Sequence, residues 1–274
     1  MLGALHFLNH TQKINFKDIK YYGGTSVGAL ISVMLIFKFT PMEIFDYVCK
    51  NDINQAFNLD NFRINTLTED YGIISIEQLY TYLEKMIKSK HGDEVEIPTF
   101  SQLYDKQQIE FVCPALRIDT TTQEMHKEYF HHTTTPHFNI LQAACCSAAI
   151  PILFTKFEIN KQIYVDGGFF DNTPIDKMKS LIRSSDHRIF TIQTDSLSQQ
   201  LQRHEYSLFK HFSSLMMISL SLQKSACHPH IVTILCQNNA LDLQQNKKKK
   251  IQYFCDGFLF IKRKWQDVLK LKKD

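Results

Sequence analysis

Leu2, Leu5 and Leu8 recur at the three-residue interval of a helix face, so the chain opens on a helix with no strand ahead of it. Ile19 to Tyr22 is a short apolar run that leads directly into Gly23-Gly24, and it reads as a buried strand. Val27 to Phe37 is apolar on every side, as a helix enclosed in a core must be. The order is therefore strand, tight turn, helix. Thr40-Pro41-Met42-Glu43 and Ser75-Ile76-Glu77-Gln78 are capping boxes, the first with Pro at the opening helical position. The second starts a helix that gathers Ile76, Leu79, Tyr80, Leu83, Met86 and Ile87 on one face.

Ile109 to Ala115, Gln162 to Val165 and Arg188 to Thr194 read as strands, and Ile140 to Cys146 as a helix closed off by Pro151. Apolar strands alternating with helices indicate an α/β protein with a largely parallel sheet covered on both faces. Beyond Ser196 the pattern predicts a helix at Leu208 to Leu222, a strand at Ile231 to Cys236 and a basic helix at Phe258 to Leu271. Lys247 to Lys250 reads as a solvated loop.

Charge alters this picture only at the end of the chain. Residues 247–274 hold nine Lys and one Arg against three Asp, a net +7, which leaves −4 for the rest of a chain whose total is +3. Such an end suits an anionic membrane surface and gives no reason to expect nucleic acid. The seven cysteines are dispersed without a C-x-x-C pair, which argues against a disulfide framework and fits a reducing compartment. The first residues carry no basic leader or cleavage site, and no apolar run approaches the roughly 20 residues that span a bilayer. A cytoplasmic protein with peripheral membrane contact is expected.

Gly24-Thr25-Ser26-Val27-Gly28 is G-x-S-x-G between a predicted strand and a predicted helix, the setting of a nucleophile elbow. A serine in so tight a turn requires neighbours without side chains two residues away, and its Oγ projects at a helix N-terminus that favours an oxyanion. Asp166-Gly167-Gly168 follows the Gln162 to Val165 strand and puts a carboxylate at a strand's C-terminal end. Five of the nine glycines lie in these two places. A serine needs a base, and a partly desolvated Asp can serve. The rival is a Ser-His-Asp triad drawn from His187, His204, His211, His228 or His230, but none of these lies in a motif. Cys227-His228-Pro229-His230 and the group His131, His132 and His137 lack ligand spacing with a second half, so no metal and no cofactor is expected.

These residues resemble the patatin-like phospholipases, which share a catalytic core with cytosolic phospholipase A2. The likeness rests on Gly24 to Leu30, on Asp166-Gly167-Gly168 with Asn172 and Pro174, on Ala144 to Phe154 with its small-residue helix ending in A-x-P, and on Pro98-Thr99-Phe100 to Leu103-Tyr104. The resemblance implies a three-layer α/β/α sandwich and a histidine-free Ser-Asp dyad. Ser26 would be the nucleophile, Asp166 the proton acceptor, and Gly24, Thr25, Val27, Gly28, Gly167 and Gly168 the motif around them.

The implied activity is hydrolysis of fatty-acyl esters of membrane or lipid-droplet lipids through an acyl-enzyme, without metal. The alternative is a catalytically impaired lipid-binding scaffold. The family's opening strand and G-G-G-x-[RK]-G oxyanion loop are not found, since Gly3 is the only glycine before Gly23. The Val27 amide is the donor that remains, and the reading expects a weak catalyst whose frame begins inside the first helix. Residues 1–195 are taken as the catalytic core, N-terminally incomplete, and 196–274 as an extension packed on the same domain with its basic end at 247–274.

Overall fold

A computed structural model describes residues 1–51, 57, 71–182, 189–196, 231–236 and 246–270. Its order is α1 (Leu2–His10), β1 (Tyr21–Gly23), α2 (Val27–Ile36), α3 (Pro41–Lys50), β2 (Gly72–Ile74), α4 (Ile76–His91), α5 (Phe100–Gln107), β3 (Glu110–Asp119), β4 (Met125–Phe130) and α6 (Ile140–Ser147). There follow β5 (Ile152–Phe154), β6 (Phe157–Ile159), β7 (Gln162–Asp166), a 3-10 turn at Gly167–Phe169, α7 (Ile175–Leu181), β8 (Thr191–Ser196), β9 (Ile231–Cys236) and α8 (Lys247–Lys270). The helix expected at Leu208 to Leu222 lies outside the described residues.

The sheet is mixed, which corrects the parallel expectation. β1 runs parallel to β3, whereas β4 and β7 are both antiparallel to β3 and β6 is antiparallel to β7. The reason is local: the chain returns along β3 after Asp119, whose carboxylate accepts from the Thr121 and Thr122 amides, and a tight turn yields an antiparallel neighbour. Two separate parallel pairs, β2 with β5 and β8 with β9, complete the strands.

The edges of β3 are used unequally. Its even-numbered backbone groups face one side, where Glu110 N donates to Lys20 O, Gly24 N to Val112 O and Thr120 N to Lys161 O. Asp119 N donates to Glu124 O on the other side, which belongs to β4. β1 and β7 therefore lie on the same edge of β3, end to end, with β1 stopping at the level of Val112 and β7 arriving from the opposite direction at the level of Ala115. Pro114, which has no N–H to give, falls on that edge in the gap between them.

Glu110 to Ala115 are all buried, so both faces of β3 are covered. Phe100 of α5 stacks on Phe111, with ring centroids 5.6 Å apart, and Phe130 of β4 extends the stack. α2 and α6 pack against each other and against β3. Thr40 and Thr99 form complete capping boxes with Glu43 and Gln102. Ser75 caps α4 by accepting from the Gln78 amide while its hydroxyl donates to Glu77, and the Gln78 side chain does not close the box.

Lys247 to Lys250 are the first turn of α8 rather than a loop. Four cations there oppose the helix dipole, and the apolar stripe supplies the compensation: Ile261 is buried with Ala4, Phe7 and Leu8 of α1, with Phe258 and Trp265 partly buried against them. The crossing is close enough that a Cβ on Gly3 would lie 1.8 Å from the Phe254 carbonyl oxygen. The glycine nearest the start of the chain thus serves helix packing.

Candidate active site

Head-on strands on one edge bring the two motifs together. After β1 the chain bends at Gly24, whose amide is tied to Val112 O, and α2 begins at Val27. Ser26 sits at the bend with φ 56° and ψ −128°, a conformation costing a residue with a Cβ about 1–3 kcal/mol. The surroundings impose it. Thr25 Oγ1 donates to Asp171 O at 2.9 Å, and the Ser26 amide donates to Ser147 Oγ at 3.2 Å.

The two glycines of the elbow are not equivalent. A Cβ on Gly24 would stand 2.3 Å from the backbone of Gly28, whereas one on Gly28 would meet nothing within 4 Å. The spacing argument therefore holds for Gly24 and fails for Gly28, because the bend folds the first glycine onto the backbone of the second while the second faces open space.

Asp166 ends β7 and is buried, at 1% exposure. Its amide donates to Ala149 O at 3.0 Å, and its Oδ1 accepts from Gly168 N at 2.7 Å. Gly167 is required next to it, since a Cβ there would lie 2.1 Å from the Pro114 carbonyl oxygen. Asp166 Oδ2 is buried with no hydrogen bond of full geometry. The Ser26 hydroxyl is the neighbour that favours its charged form, together with the Gly168 amide, but burial outweighs both and pushes the carboxyl up to about 6. A catalytic hydrogen bond that is long before substrate arrives is common.

Sequence reading missed Ser147 and Ala149. Through Ser147 Oγ and Ala149 O, the segment leaving α6 holds the amide of Ser26 and the amide of Asp166. Ser147 is fully buried in an otherwise apolar stretch of small residues, Ala143 to Ala149, and that lone hydroxyl was the available signal. Asp171 is the second omission. Besides accepting from Thr25 through its carbonyl, it accepts from the Tyr129 hydroxyl at 2.7 Å through its carboxylate.

The Val27 amide is the first of α2, and no backbone carbonyl accepts from it among the described residues. The Val27 side chain is 57% exposed beside Ser26, whereas Ala29 and Ile31 to Ile36 are buried. Among the described residues no histidine is hydrogen-bonded to Ser26 or Asp166; His187, His204, His211, His228 and His230 lie outside them. No single helix there is long and apolar enough to cross a membrane.

Residues 1–179 match the family model described as patatin-like phospholipase. A "probable lipid hydrolase 463L" of Invertebrate iridescent virus 6 is 31% identical over 176 residues, and the uncharacterized protein R571 of Acanthamoeba polyphaga mimivirus is 27% identical over 177. Each match covers 64% of this chain and 57% or 55% of the relative, so the chain spans little more than half the length of either. In fold the chain is similar to VipD from Legionella pneumophila, with a TM-score of 0.51, 15% identity, and coverage of 96% of this chain and 63% of that one.

Proposed function

Since the chain belongs to the patatin-like phospholipase family, we propose that it is a lipid acyl hydrolase in which Ser26 is the nucleophile and Asp166 its base. One observation carries the reading: a buried carboxyl with an unpaired Oδ2 faces a serine held at positive φ on the first turn of a helix. Asp166 draws the proton from Ser26 Oγ as the oxygen bonds to the ester carbonyl carbon. The tetrahedral oxyanion is met by the Val27 amide and the N-terminal end of α2. Collapse breaks the bond to the alcohol oxygen, and Asp166 returns the proton to that leaving group. Water then attacks the acyl-Ser26 ester, giving its proton to Asp166, which passes it back to Ser26 as the fatty acid departs.

The exposed Val27 side chain supports an acyl substrate, since it offers apolar surface beside the reacting oxygen. The free cysteines support a reducing compartment, and the exposed lysines at the start of α8 support contact with an anionic membrane surface. The division into a core of residues 1–195 and an extension of 196–274 belongs to the same proposal.

A fluorophosphonate probe followed by peptide mapping tests the assignment, alongside hydrolysis of a medium-chain ester. Ser26 should be labelled in the wild type, and Ser26→Ala and Asp166→Asn should both lose turnover, with the double variant no slower than either. A histidine substitution that abolishes turnover in a folded protein would establish a triad instead. The other reading of the same fold is a lipid-binding scaffold. Vesicle binding without any labelling of Ser26 would decide for it.

A further inference from the structure

Away from Ser26 and Asp166, at the opposite end of β1, the fold gathers three side chains that the motifs do not use. Glu110 begins β3 and pairs with Tyr21, the first residue of β1. His131 and His132 leave the end of β4, whose Phe130 is opposite Cys113. The antiparallel return of β4 along β3 is what places residues 21 positions apart beside each other. One ligand atom from each of Glu110, His131 and His132 lies within 4.8 Å of the other two.

Two of these side chains are sealed from water, Glu110 at 3% exposure and His131 at 1%. Glu110 Oε2 is paired with His132 Nδ1. Glu110 Oε1 and His131 Nε2 are buried with no hydrogen-bond partner. The contact between Glu110 and His132 accounts at most for one oxygen and one nitrogen, and the nitrogen itself lacks a hydrogen bond of full geometry; two further polar atoms are buried at the same place. Each such orphan destabilises the fold.

The supports around the cluster are those of a ligand set. The Thr133 hydroxyl lies 2.9 Å from His131 Nδ1; accepting from an Nδ1–H, it leaves the Nε2 lone pair free, as outer-shell partners of ligating histidines do. The Thr133 amide approaches the same nitrogen at 3.4 Å, a longer contact that suits the other tautomer. The Tyr104 ring of α5 stacks flat on His132, with centroids 4.0 Å apart and planes at 2°, which fixes the ring plane. The charge nearby that works against a cation is Lys177 of α7, which acts on both Glu110 and His131.

We propose that Glu110, His131 and His132 form a binding site for a divalent cation of the zinc class, with water as the fourth ligand. Two imidazoles and a carboxylate are a zinc donor set, and ligands about 2.0–2.1 Å from a tetrahedral ion stand roughly 3.4 Å from each other, a separation inside the 4.8 Å that encloses the three atoms here. The ion would satisfy both orphaned atoms and clamp the start of β3 to the turn after β4. It therefore acts on the stability of the sheet that carries the elbow, not on the ester chemistry.

The test uses Co2+ as a spectroscopic probe on the full chain after dialysis against a chelator. One equivalent of Co2+ should give the visible absorption of a four-coordinate site, Zn2+ should displace it, and Zn2+ should raise the melting temperature. His132→Asn, at the half-buried position, should abolish the band, and Lys177→Gln, outside the ligand set, should tighten binding several-fold. Should His132→Asn fail to fold, diethyl pyrocarbonate mapping of the wild type replaces it: Zn2+ should protect the peptide bearing His131 and His132. Absence of a Co2+ band and of a melting shift at about 100 µM metal overturns the proposal. A band that survives His132→Asn, or Zn2+ that leaves the His131–His132 peptide unprotected, overturns it equally.

Discussion

Replacing Asp166 with Asn should make the protein more stable as it removes the base. The carboxyl is buried and its pKa rises from 3.8 to about 6, burial being the main cause. About two pK units at about 1.4 kcal/mol each correspond to roughly 3 kcal/mol by which folding disfavours the ionised form. A raised folded pKa means that the group's favourable contribution is complete below about pH 4, falls as pH rises from about 4 to 6, and is gone above that. Asparagine is isosteric: its oxygen still accepts from the Gly168 amide, and its NH2 can donate to the Ser26 hydroxyl where Oδ2 now has no partner. Urea denaturation of wild type and Asp166→Asn at pH 4, 5, 6, 7 and 8 reads the difference. The two should be nearly equal at pH 4, with the variant ahead by roughly 3 kcal/mol at pH 8, about 6–12 °C in Tm for a domain of this size. Ester turnover should fall to background in the variant, and in the wild type it should rise with pH through about 6 as the base ionises. A variant no more stable than wild type at pH 8, with a gap that does not change with pH, would show that the carboxylate is not held against its solvation, and the assignment of a tuned base would fall with it.

Ser26→Gly should raise stability by about 1–3 kcal/mol in a denaturant titration, because glycine adopts φ 56° without strain, while probe labelling disappears. Gly24→Ala should give misfolded or unlabelled protein, and Gly28→Ala should remain folded and labelled, since only the first meets backbone at 2.3 Å. Ser147→Ala strips the acceptor from the Ser26 amide and should cost about 1–3 kcal/mol of stability together with a loss in kcat exceeding any change in KM. Changing Lys247, Lys248 and Lys249 to Gln should weaken sedimentation with anionic vesicles at low salt and have little effect at high salt. This substitution is cleaner than deleting residues 247–274, which would strip Ile261 from the cluster it forms with Ala4, Phe7 and Leu8.

Much of the site was legible because its requirements are local. A strand, a G-x-S-x-G turn and an apolar helix are adjacent in the chain, and capping at Thr40 and Ser75 depends on residues three apart. The start of α8 was misread because charge along the chain is visible in sequence, whereas the close crossing at Gly3 that holds this helix is a contact between residues about 250 positions apart. The cluster of Glu110, His131 and His132 was hidden for the same reason: its third member belongs to another strand. The short strands β2, β5 and β6 have three residues each, too few for a period of two to register.

A parallel sheet would set the two motifs at one end of the strands that carry them, whereas the antiparallel course of β7 brings them near each other by another route. Strands parallel to each other carry motifs at their C-terminal ends side by side, one strand spacing of about 4.8 Å apart for immediate neighbours and twice that across an intervening strand. β1 and β7 are not neighbours in that sense, because both pair with β3. Running antiparallel to each other on one edge of β3, they point their C-terminal ends at a common gap that spans only Cys113 and Pro114. A ladder across that gap would need an N–H at residue 114, and proline has none, so the edge is open where the two motifs must turn away from the sheet. Gly167 fits against the Pro114 carbonyl because it lacks a Cβ, and the turn that follows reaches back to Thr25 through Asp171 O. The proline between the strands, the glycines after them and the Ser147–Ala149 segment that holds both amides are thus parts of one device for bringing a hydroxyl from one strand end to a buried carboxyl from another.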